Sequence, residues 1–137
     1  MQLQTGRWIS ILYRKSQIYI GQYLKPYGIM PGEYPILLQL YQLDGITQEE
    51  IVNYQSLDKS GVTRTVQSLE RKGFIRREKD EKDQRCKRIF LTEEGWKVQP
   101  VIDKVLKEWN QMMTQSFNSE DREEIIHYLK QMVENVF

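Results

Sequence analysis

Apolar residues along this chain recur mostly at helical spacing, and the pattern changes character only once, between Phe74 and Leu91. From roughly Thr5 to Lys25, Trp8, Leu12, Tyr19 and Tyr23, with Ile11 and Ile18 beside them, follow a 3.6-residue period and predict a first helix. Lys25 precedes a proline and Gly28 follows, which ends it. A second helix is expected from about Pro31 to Gln42, with Tyr34, Leu37, Leu38 and Tyr41 on one side. Pro31 suits its first position, and Pro35 loosens the following turn. In "ITQEEI", Thr47 caps a short third helix from Gln48 to Tyr54, and Glu50 reaches back to close a capping box. Ile46 and Ile51 stand where a hydrophobic staple would. Asp58 then caps a fourth helix, Lys59 to Lys72, and Gly73 stops it.

The change of period comes next. Phe74 to Lys79 and Cys86 to Leu91 each read as a short strand, separated by the charged, turn-forming "DEKDQR". Two helices joined by a tight turn and followed by a hairpin make a winged helix-turn-helix. Helical spacing resumes at Thr92, a cap, with Leu91 and Trp96 placed to staple. Val98, Val101, Ile102, Val105, Trp109, Met112 and Met113 continue one long helix, kinked at Pro100. After "FNSED" a last helix carries Ile125, Leu129, Met132 and Val136. The fold class is therefore mainly α with a small β-hairpin wing. Residues 1–137 form one domain, with a winged-helix lobe at 30–91 and flanking helices at 1–28 and 92–137. Those flanking stripes exceed what the lobe needs for its own core, so a two-fold homodimer built from the first, fifth and sixth helices is expected.

The fourth helix carries the functional question. At 100° per residue, Val62, Val66 and Leu69 fall within about 60° of one another and form an inner stripe. Opposite them lie Ser60, Arg64, Gln67 and Arg71, with Thr63 on one flank and Gly61 and Ser68 on the other. A solvated polar face would normally mix signs, yet this one has no acid among its central residues. Gly61 costs roughly 1 kcal/mol against alanine in a helix interior, and it suits close approach to a flat partner. A helix of this kind fits the major groove, where Arg can pair with a guanine edge.

Composition sharpens that picture. The 137 residues, 39% hydrophobic and 28% charged, are ordinary for a globular protein, and the formal net charge is only +1. The charge is unevenly spread, however. Asp58 to Leu91 holds 11 Lys or Arg against 6 Asp or Glu, whereas the remainder holds 9 against 13. This asymmetry marks an anion-binding face. On the wing, Arg85 is placed in or beside the minor groove with Lys82 on phosphate, and Asp83 holds a neighbouring Arg.

Other chemistry is thin. The one histidine, His127, and the one cysteine, Cys86, fall on different predicted elements, no Gly-rich phosphate loop occurs, and no metal-ligand spacing appears. No enzyme, cofactor or metal is expected. The run Ile9 to Tyr13 is too short for a signal-peptide core, and no segment approaches a membrane span, so a cytoplasmic protein is expected. Tyr19, Tyr23 and Tyr34 are candidates to line an effector pocket, although packing is the commoner use of such residues.

The pieces "TQEEI", "LDKSGVTRTVQSLERKGFIRR", "DEKDQR" and "LTEEG" occur in the order and spacing of the MarR (multiple-antibiotic-resistance regulator) family, which this chain resembles over nearly its whole length. The resemblance implies a homodimer that binds a pseudo-palindromic operator, with the Asp58–Lys72 helix in the major groove and Arg85 in the minor groove. It also implies release by a small aromatic or anionic effector. Met30, Val52 and Gln55 depart from the family's usual residues. The resulting expectation is a DNA-binding transcription regulator, a repressor, that partners double-stranded DNA and no membrane. Lys59, Ser60, Gly61, Thr63, Arg64 and Gln67 are assigned to the major groove, and Thr47, Gln48, Arg71 and Lys82 to phosphate. The competing expectation is a winged-helix module whose outer face docks an acidic protein.

Overall fold

The computed structural model describes residues 4–55 and 57–137, so residues 1–3 of the expected flanking segment 1–28 lie outside it. Helix α1 (Thr5–Leu24) runs into a 3-10 turn at Lys25–Tyr27, where Pro26 removes the donor needed to continue. Helix α2 (Tyr34–Gln42) starts later than the apolar pattern suggests. Pro31 belongs to the preceding turn, and Pro35 sits comfortably in the first helical turn, where its missing N–H would have had no partner.

A strand the periodicity did not predict, β1 (Ile46–Thr47), precedes helix α3 (Gln48–Gln55). Thr47 Oγ1 accepts the Glu50 N–H at 3.2 Å, which is one half of the capping box. Among the described residues the return bond from the Glu50 carboxylate does not form. At the other end the Gln55 amide donates to Pro35 O and to Gln39 Oε1, at 3.2 and 3.1 Å. This polar residue therefore joins α3 to α2.

Helix α4 (Lys59–Arg71) is capped by Asp58, whose Oδ1 accepts the Gly61 N–H at 2.9 Å. It closes with paired bonds from Gly73 N–H to Glu70 O and Phe74 N–H to Leu69 O, with Gly73 at φ 85°. Strands β2 (Ile75–Lys79) and β3 (Lys87–Leu91) pair antiparallel from Ile75↔Leu91 to Lys79↔Lys87, and β1 adds to the other edge of β3 through Ile46↔Ile89 and Thr47↔Arg88. Thr92 caps α5 (Glu93–Lys97), and a separate α6 (Gln99–Met113) follows. The single kinked helix expected here is two helices, because Pro100 cannot donate to the previous turn and serves instead in the first turn of α6. Asn118 caps α7 (Ser119–Asn135).

Val62, Val66 and Leu69 are each 0% exposed, packed in one core with Ile36, Leu37 and Leu40 of α2, Ile51 of α3 and Ile89 of β3. Ile20 and Leu24 of α1 and Ile102 and Val105 of α6 complete the same core, so the flanking helices share it with the winged lobe. Their distal parts do not. Trp8, Ile9 and Leu12 stay exposed on α1, and α7 has no buried residue despite Ile126, Leu129, Met132 and Val133.

Among the described residues, one buried side chain is charged. Glu33, 4% exposed, accepts from the Met30 N–H at 2.8 Å, from Ser68 Oγ at 2.6 Å and from Lys72 Nζ at 2.7 Å. Burial alone would raise its pKa. The bonds from Lys72, Ser68 and the Met30 N–H, with the Lys72 charge, outweigh burial and hold the carboxyl below the ordinary glutamate range. A depressed folded value means that the unfolded chain takes up the proton first. Glu33 therefore contributes in full above roughly pH 5, and the contribution is lost as pH falls through the folded value. Urea unfolding at a series of pH values is expected to show stability falling more steeply toward acid in the parent than in Glu33→Gln. Parallel curves would contradict the assigned charge state.

Candidate nucleic-acid interface

With its inner stripe in the core, α4 presents Lys59, Arg64, Gln67 and Arg71 to solvent. Among the described residues the side chains of Lys59, Arg64 and Gln67 have no hydrogen-bond partner. Ser60 is also exposed, but its hydroxyl donates to Asp58 Oδ2 at 3.0 Å and so reinforces the cap. Thr63 is half-buried. Its hydroxyl donates to Lys59 O at 2.8 Å and accepts from Gln48 Nε2 at 2.6 Å. This bridge fixes the angle between α3 and α4, and it occupies two groups that the sequence assigns to DNA. Thr47 is further from that assignment: it is 8% exposed, paired in β1, with its hydroxyl capping α3. Only a small part of it is left open, at a cleft beside the wing.

Gly61 has a structural reason that its helical position did not reveal. A Cβ placed there would lie 2.4 Å from Asp58 Oδ1, so the cap as formed requires a residue without a side chain. Close approach to a partner is no longer needed to explain it.

The wing is built from acids that hold its own backbone and bases. Asp83 Oδ1 accepts the Arg85 N–H at 3.0 Å, and Asp83 O accepts the Cys86 N–H at 2.9 Å. Asp83 thus reaches Arg85 through the main chain and not through the guanidinium. Asp80 closes the loop through its N–H to Cys86 O and lies 3.5 Å from Arg88 Nε. Cys86 itself sits half-buried just before β3.

Ion pairs divide the basic half of the chain into two groups. Arg77 forks onto Glu70 at 3.0 and 2.8 Å, fastening β2 to the end of α4; this bond holds the Glu70 carboxyl low and raises the guanidinium value. Lys72 pairs with Glu33, Arg88 with Asp80, and Arg76 with Glu78. Among the described residues, Lys59, Arg64, Arg71, Lys79, Lys82, Arg85 and Lys87 are left without an ion pair. All are exposed, on α4 or on the wing. A polar cleft of about 400 Å³ lies between the start of α3 and the wing, lined by Gln48, Arg77 and Arg85 among others.

Tyr19 and Tyr23 meet with tilted rings at 4.8 Å, and Tyr19 meets Trp109 of α6 at 5.1 Å, while Tyr34 lies at the start of α2; none of the three lines a described cavity. An apolar groove of about 440 Å³ lies elsewhere, lined by Lys25, Ile29, Met30, Pro31 and Lys72 among others. His127 is exposed on α7. Two features went unnoticed in the sequence: the Gln48–Thr63 bridge, which has no sequence signal, and Glu33. The latter had one, being the only charged residue between Lys25 and Asp44.

Comparison with known proteins gives a consistent match. The MarR family profile matches residues 29–87. The Bacillus subtilis HTH-type transcriptional regulator YybA is 30% identical over 82% of this chain and 75% of its own length. A MarR transcriptional regulator from Methanosarcina mazei is 45% identical, with a TM-score of 0.90 over 95% of this chain and 94% of that one. MepR of S. aureus, solved in complex with DNA, is 25% identical with a TM-score of 0.89, covering 98% of this chain and 100% of that chain. No described helix is long and apolar enough to cross a membrane.

The cap geometry yields a double-mutant cycle. In the parent, Gly61→Ala forces the Asp58 carboxylate aside, so the helix-propensity gain of roughly 0.5–1 kcal/mol is cancelled or reversed. In an Asp58→Ala background, which itself loses about 1 kcal/mol, the same substitution is expected to stabilise. Denaturant unfolding at one protein concentration reads both, and identical effects in the two backgrounds would contradict the close contact.

Proposed function

This chain belongs to the MarR family of transcriptional regulators and is a DNA-binding transcription regulator, and we propose that it grips a two-fold operator as a homodimer. In this reading α4 enters the major groove, with Arg64 and Gln67 at base edges. Lys59, Arg71 and Lys82 meet phosphate, and Arg85 reaches the adjoining minor groove. The observation that carries it is the partition of charge. The cations without an ion pair lie on the solvent side of α4 and on the wing, while the remaining bases of that segment are neutralised within the fold. Ser60 and Thr63 contribute through shape and the Thr methyl group, since their hydroxyls are engaged.

Dimerisation is supported by the unburied apolar residues of α1 and α7, which a lone protomer would leave in water. A two-fold dimer places its half-sites about one helical turn, roughly 10 base pairs, apart. Repression relieved by a small aromatic or anionic effector fits the groove beside Lys25, whose apolar floor and single unpaired cation among the described residues suit such a molecule.

Selection of duplexes from random DNA, followed by binding measurements across a salt series, tests the reading. Arg64→Ala is expected to relax selectivity at one base step by about 1–3 kcal/mol. Lys82→Ala is expected to weaken all sequences alike and to reduce the salt slope by about 1. An Arg64→Ala protein as selective as the parent would sink the base-reading assignment.

A further inference from the structure

Among the described residues, Glu33 is the one buried side chain that carries a charge. An acid 4% exposed is held against desolvation only by well-placed donors. Its partners come from two places distant in sequence. Met30 belongs to the connection between α1 and α2, while Ser68 and Lys72 lie at the far end of α4. Ser68 and Lys72 are the chain neighbours of Gln67 and Arg71, two of the residues α4 turns toward solvent. The inner stripe of Val62, Val66 and Leu69 holds α4 in the core, but apolar contact is not directional and tolerates a small rotation or slide. Hydrogen bonds at 2.6 and 2.7 Å to one carboxylate do not.

We infer that Glu33 is a positioning residue for α4, making no contact with DNA and setting the helix's rotation and tilt from behind through Ser68 and Lys72. The inference rests on the reading of α4 as the helix that enters the groove. Rotation of a helix about its axis moves Arg64 and Gln67 off their base edges. It leaves the long, exposed Lys and Arg side chains able to find phosphate, so selectivity is lost before general affinity.

The test compares the parent with Glu33→Gln, Glu33→Asp and Ser68→Ala on a duplex selected from random DNA and on a shuffled duplex of the same composition. In Glu33→Gln the amide sets a donor against donors. The Kd for the selected duplex is expected to rise roughly tenfold, about the share of one base contact. The Kd for the shuffled duplex and the salt slope stay as in the parent. Ser68→Ala, which keeps the ion pair, shows a smaller loss in the same direction, and Glu33→Asp recovers part of the selectivity. A parent-like ratio of the two Kd values in Glu33→Gln overturns the proposal, and so does an equal loss on both duplexes. If the parent itself fails to discriminate, the DNA reading falls, and amide hydrogen exchange of the free protein decides the role of Glu33 alone. Faster exchange in Glu33→Gln from Thr65 to Arg71, with the wing strands unchanged, supports positioning; unchanged or uniformly faster exchange overturns it.

Discussion

The burial of Val62, Val66 and Leu69 is the constraint on which the rest depends. Once those three side chains are enclosed, the 100° step of the helix leaves little choice about what faces outward. Arg64, Gln67 and Arg71 are presented to solvent because the opposite stripe is committed to the core. The ends are equally determined, by Asp58 at one and by the bonds around Gly73 at the other. The wing follows without slack, since Phe74 belongs to the helix-ending motif and β2 begins at the next residue. Bidentate contact between Glu70 and Arg77 then fastens the strand to the helix it has just left.

A second principle governs charge. The surplus of bases in this part of the chain reads, in bulk, as a positive patch. Pairing makes it selective: acids on α4, on the wing and before α2 take up Arg77, Arg76, Arg88 and Lys72, and the other bases of this segment remain without an ion pair among the described residues. Asp83 illustrates the economy of this arrangement. It would be repelled by phosphate, yet its bond to the Arg85 N–H shapes the loop that carries a cation.

Much of this was legible in the sequence, for reasons that differ from element to element. Strong periodicity and capping residues gave α4 and the wing strands close to their observed limits, because each signal acts within a few residues; α7 was expected, but it begins inside the "FNSED" stretch read as a break. Three kinds of feature escaped. The strand Ile46–Thr47 is too short to have a period and exists only because β3 lies beside it. The split at Val98 and the late start of α2 turn on where a proline falls in a turn, which spacing alone does not settle. Residues with two plausible uses were the hardest. Gly61, Thr63 and Thr47 read as contacts for DNA, and each is occupied in the fold: by the Asp58 cap, by Gln48, and by β1 with the α3 cap. The contact of Tyr19 with Trp109 joins α1 to α6, which a list of aromatic positions cannot express.

The central claim is geometric: a two-fold pair of α4 helices in successive major grooves, with a wing in each adjoining minor groove. Dimethyl sulfate protection of a selected duplex tests it directly, since guanine N7 lies in the major groove and adenine N3 in the minor groove. The account predicts two patches of guanine protection about 10 base pairs apart, each flanked on the outside by adenine protection. A single unpaired patch, or protection without sequence preference, would contradict it.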